Sequence, residues 1–357
     1  MENNFLNPQN PYIKPETTGE EQGFSPVGVP QTVLSEEEKE IKTIKSKMTG
    51  IGLVLIVMFV LMQLWVFPFM IIPQLLGVPY ESLKALLDNE YFTLPLHVVL
   101  SSLCFTVPFI VLTRVRKTTV SETVPLGRAK KGTALPFFMF GMSVCALSNI
   151  FSSYSHNALN SFLSLFGLKY ELTQTDGEKG ILIFILAFLS TAVVPALVEE
   201  FGCRGVMFGL LKEHSEGAAI IVTAVIFGVI HGNFVQIPFA FMVGLVLAVI
   251  RLKTGTLWVA IAVHFCNNLV SVIFEYVLYP LPDMLQNAIY YIYLLTCMLL
   301  GVLGVVLIAK NSPETFSLNL NKNGISEKKI VTVSLTRPLI IIILAVYLLL
   351  ALTFITA

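Results

Sequence analysis

The sequence predicts an all-α protein, a polytopic transmembrane helical bundle of about eight or nine helices. Three observations carry that expectation. The 357 residues are 55% hydrophobic and only 13% charged, with a mean hydropathy of +0.78, a composition that belongs in lipid rather than in a water-soluble domain. Apolar runs of membrane-spanning length recur from residue 50 to residue 356. Lys and Arg gather in alternate connections between those runs, as cytoplasmic loops require.

Taken in order, residues 1–48 carry Pro, Glu, Gly, Asn and Ser without hydrophobic periodicity and read as a cytoplasmic, disordered tail. The tail closes on SEEEKEIKTIKSK, which can form a short charged helix. No signal peptide is expected, because the first apolar run starts at about residue 49 and is long enough to span. Candidate helices follow at 50–77, 93–113, 134–154, 181–211, 218–233, 236–250, 257–279, 287–309 and 338–356, the fifth and sixth being short. Pro68, Pro73, Pro108, Pro195 and Pro238 lie in or at the edges of these runs, where neighbouring helices can satisfy the carbonyls they free. Apolar residues at helical spacing in 155–180 predict a surface helix in the outer interface.

Charge position then gives orientation. Lys39 to Lys47, the cluster from Arg114 to Lys131, Lys212, the pair Arg251 and Lys253, and the group from Lys310 to Arg337 mark alternate loops, whereas the intervening loops are poor in Lys and Arg. Nine crossings with a cytoplasmic N-terminus fit that alternation. A formal net charge of zero without a dense basic block excludes nucleic acid as a partner. The five cysteines all fall inside apolar segments, as small buried hydrophobes rather than a disulfide framework.

Against this background two adjacent carboxylates, Glu199 and Glu200, stand near the end of an apolar run. Charge at membrane depth is costly and marks a functional site by default. Glu200 and Arg204 are four residues apart on one helix face and can pair, leaving Glu199 to point elsewhere. Phe227 and His231, and His264 and Asn268, share the same spacing. Glu199 lies sixteen residues before the turn at residue 215 and His231 sixteen after it, so an antiparallel hairpin places them at one level. Counting up from Lys253 brings Asn268 to about that level, with His264 about a turn nearer the cytoplasm. Each group also has a packing reading: a buried ion pair, an interhelical hydrogen bond or amide glue between helices. Shared depth is what favours a site, because independent packing roles do not require it.

These residues resemble a known family. VEEFGCR (198–204) is similar to the EExxxR motif, FGVIH (227–231) to FxxxH, and HFCNN (264–268) to HxxxN of the CPBP intramembrane proteases, a group that includes type II CAAX prenyl endopeptidases and proteins of bacteriocin processing or immunity. The resemblance spans about residues 180–275. It implies a catalytic core at 181–275, set between the transmembrane helices of 49–180, which follow the 1–48 tail, and those of 276–357, flanks that add nothing to the resemblance. It further implies that Glu199, assisted by His231, activates the attacking water, that His264 and Asn268 stabilise the oxyanion, and that Glu200 and Arg204 brace them. Glu199, His231 and His264 can alternatively hold Zn²⁺ or another divalent metal with one open position, although HExxH is absent and water activation without metal is equally open. The expected partners are a peptide or membrane-protein substrate and the lipid bilayer, in a bacterial plasma membrane; the oligomeric state is not readable. A non-enzymatic immunity or scaffolding role, and a proton-coupled transporter, are the competing classes.

Overall fold

The computed structural model describes residues 34–64, 67–171, 180–311, 317 and 324–356. The expected disorder of 1–33 lies outside the described residues. Among the described residues every regular element is a helix apart from one two-stranded pairing. We number the helices α1 (Glu36–Leu64), α2 (Tyr80–Leu87), α3 (Glu90–Val115), α4 (Ala134–Ser164), α5 (Ile181–Leu211), α6 (Glu216–Val229), α7 (Gln236–Thr254), α8 (Trp258–Tyr276), α9 (Asp283–Asn311), α10 (Glu327–Leu335) and α11 (Pro338–Leu352). Among the described residues seven helices are long and apolar enough to cross a membrane, or eight if α10 and α11, bent by 69°, form one span. The all-α, multi-pass expectation holds.

Exposed apolar side chains show where lipid lies. Val99, Leu103, Val107 and Val111 form a stripe at four-residue spacing along α3, and each is about half exposed. Such a stripe needs an apolar surrounding rather than water.

Three boundaries differ from expectation, each for a local reason. α1 begins at Glu36, not near 49, because Glu36, Glu37 and Glu38 fill its first turn, where the helix dipole favours negative charge. The 36–48 part of the expected tail is therefore helix. α4 continues to Ser164, so the expected interfacial helix is its extension; no Gly or Pro interrupts 155–164. α6 stops at Val229 and, at 14 residues or about 21 Å, falls short of a ~30 Å hydrocarbon core. Gly232 turns the chain at φ 60°, and Asn233 Oδ1 accepts from the Val235 and Gln236 amides to start α7.

The two ends of the bundle are chemically different. At one end Glu40 pairs with His214, Lys47 with Glu213 at 3.0 Å, and Lys329 with Glu37 at 2.5 Å, tying α1, the α5–α6 turn and α10 together. At the opposite end β1 (Lys169–Tyr170) pairs antiparallel with β2 (Ile355–Thr356). There the Tyr170 hydroxyl donates to Asn233 Oδ1 at 3.4 Å and accepts from the Phe234 amide at 3.0 Å. The α6–α7 turn therefore reaches the β1–β2 end despite its short first arm.

α5 sits in the middle because small residues let neighbours approach. A Cβ on Gly202 would lie 2.6 Å from the Phe109 ring, and one on Gly209 would lie 2.8 Å from the Thr123 carbonyl oxygen. Arg251, expected in a loop, instead belongs to the last turn of α7 and is buried. Its guanidinium donates to the carbonyls of Arg204 and Thr123, both at 3.1 Å, so the charge is used to hold α5 rather than to mark a solvated connection.

Candidate active site

The site is built on α5, whose regular spacing is interrupted twice. Phe188–Val193 and Phe201–Met207 adopt π-helical turns on either side of the Glu199–Glu200 pair. Such turns leave backbone groups to be satisfied from outside the helix and concentrate at functional sites. Pro195 adds a second reason, since it has no N–H to offer the carbonyl four residues earlier. That carbonyl belongs to Thr191, and it accepts from Asn268 Nδ2 at 2.9 Å. Asn268 on α8 is thereby fixed against α5. Its Oδ1 accepts from Asn267 Nδ2 at 3.2 Å, and Asn267 Oδ1 accepts from Asn149 on α4 at 3.4 Å. An amide nitrogen carries two hydrogens, so one Asn268 N–H is left for a ligand.

Glu200 and Arg204 lie behind this surface, both with wholly buried side chains. Arg204 Nη1 donates to Glu200 Oε1 at 2.6 Å. The same oxygen pairs with His264 Nδ1 at 2.9 Å. The guanidinium is also stacked 4.0 Å over the Phe227 ring, an arrangement that rewards a planar, weakly hydrated cation. Phe227 in turn abuts the rings of His231 and His264, with centroids 4.9 and 6.0 Å away. One aromatic side chain thus packs against three polar ones.

Tautomers follow from these contacts. His231 Nδ1 lies 2.7 Å from the Phe227 carbonyl, which can only accept, so Nδ1 carries the proton and Nε2 is left for a ligand. His264 Nδ1 faces the Glu200 carboxylate and must donate for the same reason, which turns Nε2 toward Glu199 Oε2 at 3.9 Å. Glu199 itself is partly exposed, at 18% of its side chain.

Glu199, His231, His264 and Asn268 line one cavity of about 690 Å³. Glu200 and Arg204, expected to brace these four, are not part of the cavity wall. Sequence reasoning missed His97 on α3, which lines the same cavity and shares a 3.2 Å hydrogen bond with Ser101. The signal was present: a histidine in the apolar run LPLHVVL, with a serine four residues on. It also missed Asn149 and the carbonyl of Thr191.

Among the described residues no group of three or more His, Cys, Asp and Glu side chains is placed to hold a metal ion. Glu199, His231 and His264 meet as cavity-lining groups, not as a closed ligand set. All five cysteines are free, and Cys203 beside the cluster is buried.

Against models of protein families, residues 181–270 match type II CAAX prenyl endopeptidase Rce1-like. The match starts with the first residue of α5 and ends just past Asn268, so it contains every residue expected at the site but not His97 on α3 or Asn149 on α4. Comparison with curated proteins and with solved structures gave no match.

Proposed function

We propose, for a chain that over residues 181–270 is a multi-pass membrane protease of the Rce1-like type II CAAX prenyl endopeptidase family, that Glu199 activates water for hydrolysis of a peptide bond inside the cavity it shares with His231, His264 and Asn268. The observation that carries this reading is their convergence on one cavity, with the buried Glu200–Arg204 pair behind His264.

The steps use this chain's own groups. A water between Glu199 and His231 donates one proton to the Glu199 carboxylate and a hydrogen bond to the His231 Nε2 lone pair. Its oxygen attacks the scissile carbonyl carbon. The oxyanion that forms accepts the spare N–H of Asn268 and, when His264 is protonated, His264 Nε2–H. Collapse breaks the C–N bond as Glu199 passes its proton to the leaving amine, giving a carboxyl and an amine terminus. Glu200 and Arg204 act through His264, by holding Nδ1 and so aiming Nε2. Each step uses these side chains and water alone.

The decisive experiment compares wild type with Glu199→Gln in proteoliposomes supplied with a peptide library. Loss of the base should lower the cleavage rate by about 10² or more, the low end of general-base contributions, without loss of folded, inserted protein. A Glu199→Gln protein that cleaves at the wild-type rate removes Glu199 from the mechanism. Proton-coupled flux in the same liposomes, without cleavage, would replace the protease reading with a transporter.

A further inference from the structure

The cavity that holds Glu199, His231, His264 and Asn268 is closed toward one end of the bundle and open toward the other, and the helices that line it agree. Residues three and four apart share a helix face, so exposure can be followed along each wall. On α3 the cavity-lining His97 is exposed, whereas Ser101 and Cys104, nearer the charged end, are buried. On α5 Thr191 is exposed and Pro195 is buried. On α7 exposure falls from Gln236 through Phe239 to Val243. The direction of α8 is opposite, and there exposure falls backwards along the chain, from Ser271 to Asn267 and His264.

The closed end is an apolar plug. Met207, one turn past Arg204 on α5, Leu247, one turn past Val243 on α7, and Ala260, one turn before His264 on α8, are all wholly buried. An extended peptide reaching the site from the charged end would have to displace all three. The open end is instead ringed by polar side chains, His97, Thr191, Gln236 and Ser271, each exposed. Polar groups at membrane depth are costly against acyl chains, so a mouth onto lipid would carry that cost four times and a mouth onto water would not. The short α6 makes room for the opening: it stops at Val229, and no further turn of it stands over His231.

Resting on the protease reading above, we infer that the site is loaded from the β1–β2 face of the membrane, the outer one by the positive-inside rule, and that its substrate is an extended peptide segment presented at that face rather than a chain offered from the cytoplasm. The rim suits a peptide main chain. Gln236 brings an amide that both donates and accepts, and the Thr191 and Ser271 hydroxyls can do either, so N–H and C=O groups stripped of water on entry find partners. The path is short. Ser271 is three residues along α8 from Asn268, about 4.5 Å of helix rise, or between one and two residues of extended peptide. The cleaved bond therefore lies just inside the rim, and the plug beneath it stops the chain from threading through to the charged end.

The test places single cysteines in the full chain and reads their labelling by a bulky, membrane-impermeant maleimide. Intact cells and inverted vesicles expose opposite faces, which Asp283→Cys identifies as the β1–β2 face and Lys328→Cys as the charged one. Gln236→Cys and Ser271→Cys should label, above the wild-type background, in the preparation that labels Asp283→Cys and not in the one that labels Lys328→Cys. Labelling from the Lys328→Cys face, or from neither, would overturn the inference. A charged, membrane-impermeant peptide library, read by mass spectrometry against the Glu199→Gln protein as control, should be cleaved only when added to the Asp283→Cys face. Each rim variant should lose that cleavage once modified, compared with itself before modification. Cleavage of the library from the Lys328→Cys face, or full cleavage by the modified variants, would overturn the loading face and leave the protease reading intact. Labelling needs no turnover, so a wild type that cleaves nothing from either face removes the protease reading while the maleimide still decides where the cavity opens.

Discussion

Arg204 is the residue on which the others lean. It neutralises Glu200 at 2.6 Å, covers Phe227 and sits where no water-facing surface is available to either partner. Arg204→Ala leaves the Glu200 carboxylate buried with only His264 beside it, and breaking such a pair should cost about 3–5 kcal/mol of stability. Thermal unfolding in detergent should register the loss, together with lost cleavage. A stable but inactive Arg204→Ala protein would mean that Arg204 acts on substrate directly. Arg204→Lys should not rescue, since a compact ammonium cannot both lie flat on Phe227 and reach Glu200. The histidines make a separate prediction. His231 and His264 each use Nδ1 on a protein acceptor and keep Nε2 for the cavity, a disposition that serves water or a metal equally. If water is activated by Glu199 without a metal, chelation of divalent metal should leave the cleavage rate unchanged. Loss on chelation, restored by zinc, would require Glu199 to close on both Nε2 atoms during turnover.

At the scale of a helix, α5 works because it is irregular. Pro195 withholds an N–H from the Thr191 carbonyl, and Asn268 supplies the missing donor from α8. Pro195→Ala returns the intrahelical donor, so Thr191 no longer needs Asn268 and the amide loses its anchor. We expect stability to hold or rise and kcat to fall about tenfold, part of the 10²–10³ that a whole oxyanion donor contributes. Wild-type kcat in Pro195→Ala would show that the anchor is dispensable. The sequence made some of this legible and not the rest. Glu200 with Arg204, and Phe227 with His231, are readable because four-residue spacing survives in any helix. That Pro195 frees a carbonyl is readable too, but which side chain answers it is set by how α8 packs on α5. The π-turns are not readable, because neither apolar periodicity nor composition distinguishes them from ordinary helix. Arg251 misleads for a related reason: a cation after an apolar run resembles a loop charge until α7 is seen to carry it into contact with the carbonyls of Thr123 and Arg204.

At the scale of the whole molecule, the short α6 decides how the site is reached. Its arm ends at Val229, so His231 stands just past a helix end and not in a helix flank, with the turn behind it held by Tyr170. Which compartment each end of the bundle faces is a matter of positive charge: Lys47, Arg116, Lys329 and Arg337 all lie at the charged end, with Arg116 bonded to Ser46 and Arg337 to Thr49. We propose, by the positive-inside rule, that the charged end faces the cytoplasm and the β1–β2 end the outside. Single cysteines at Asp283, Lys130 and Lys328 test this with a membrane-impermeant maleimide on intact cells. The native thiols offer little background, since four of the five are buried and Cys266 is only partly exposed. Asp283, which opens α9 after α8 has climbed away from the charged end, should label from outside, whereas Lys130 and Lys328 should label only after the membrane is opened. The reverse pattern would turn the β1–β2 end toward the cytoplasm and the charged end outward.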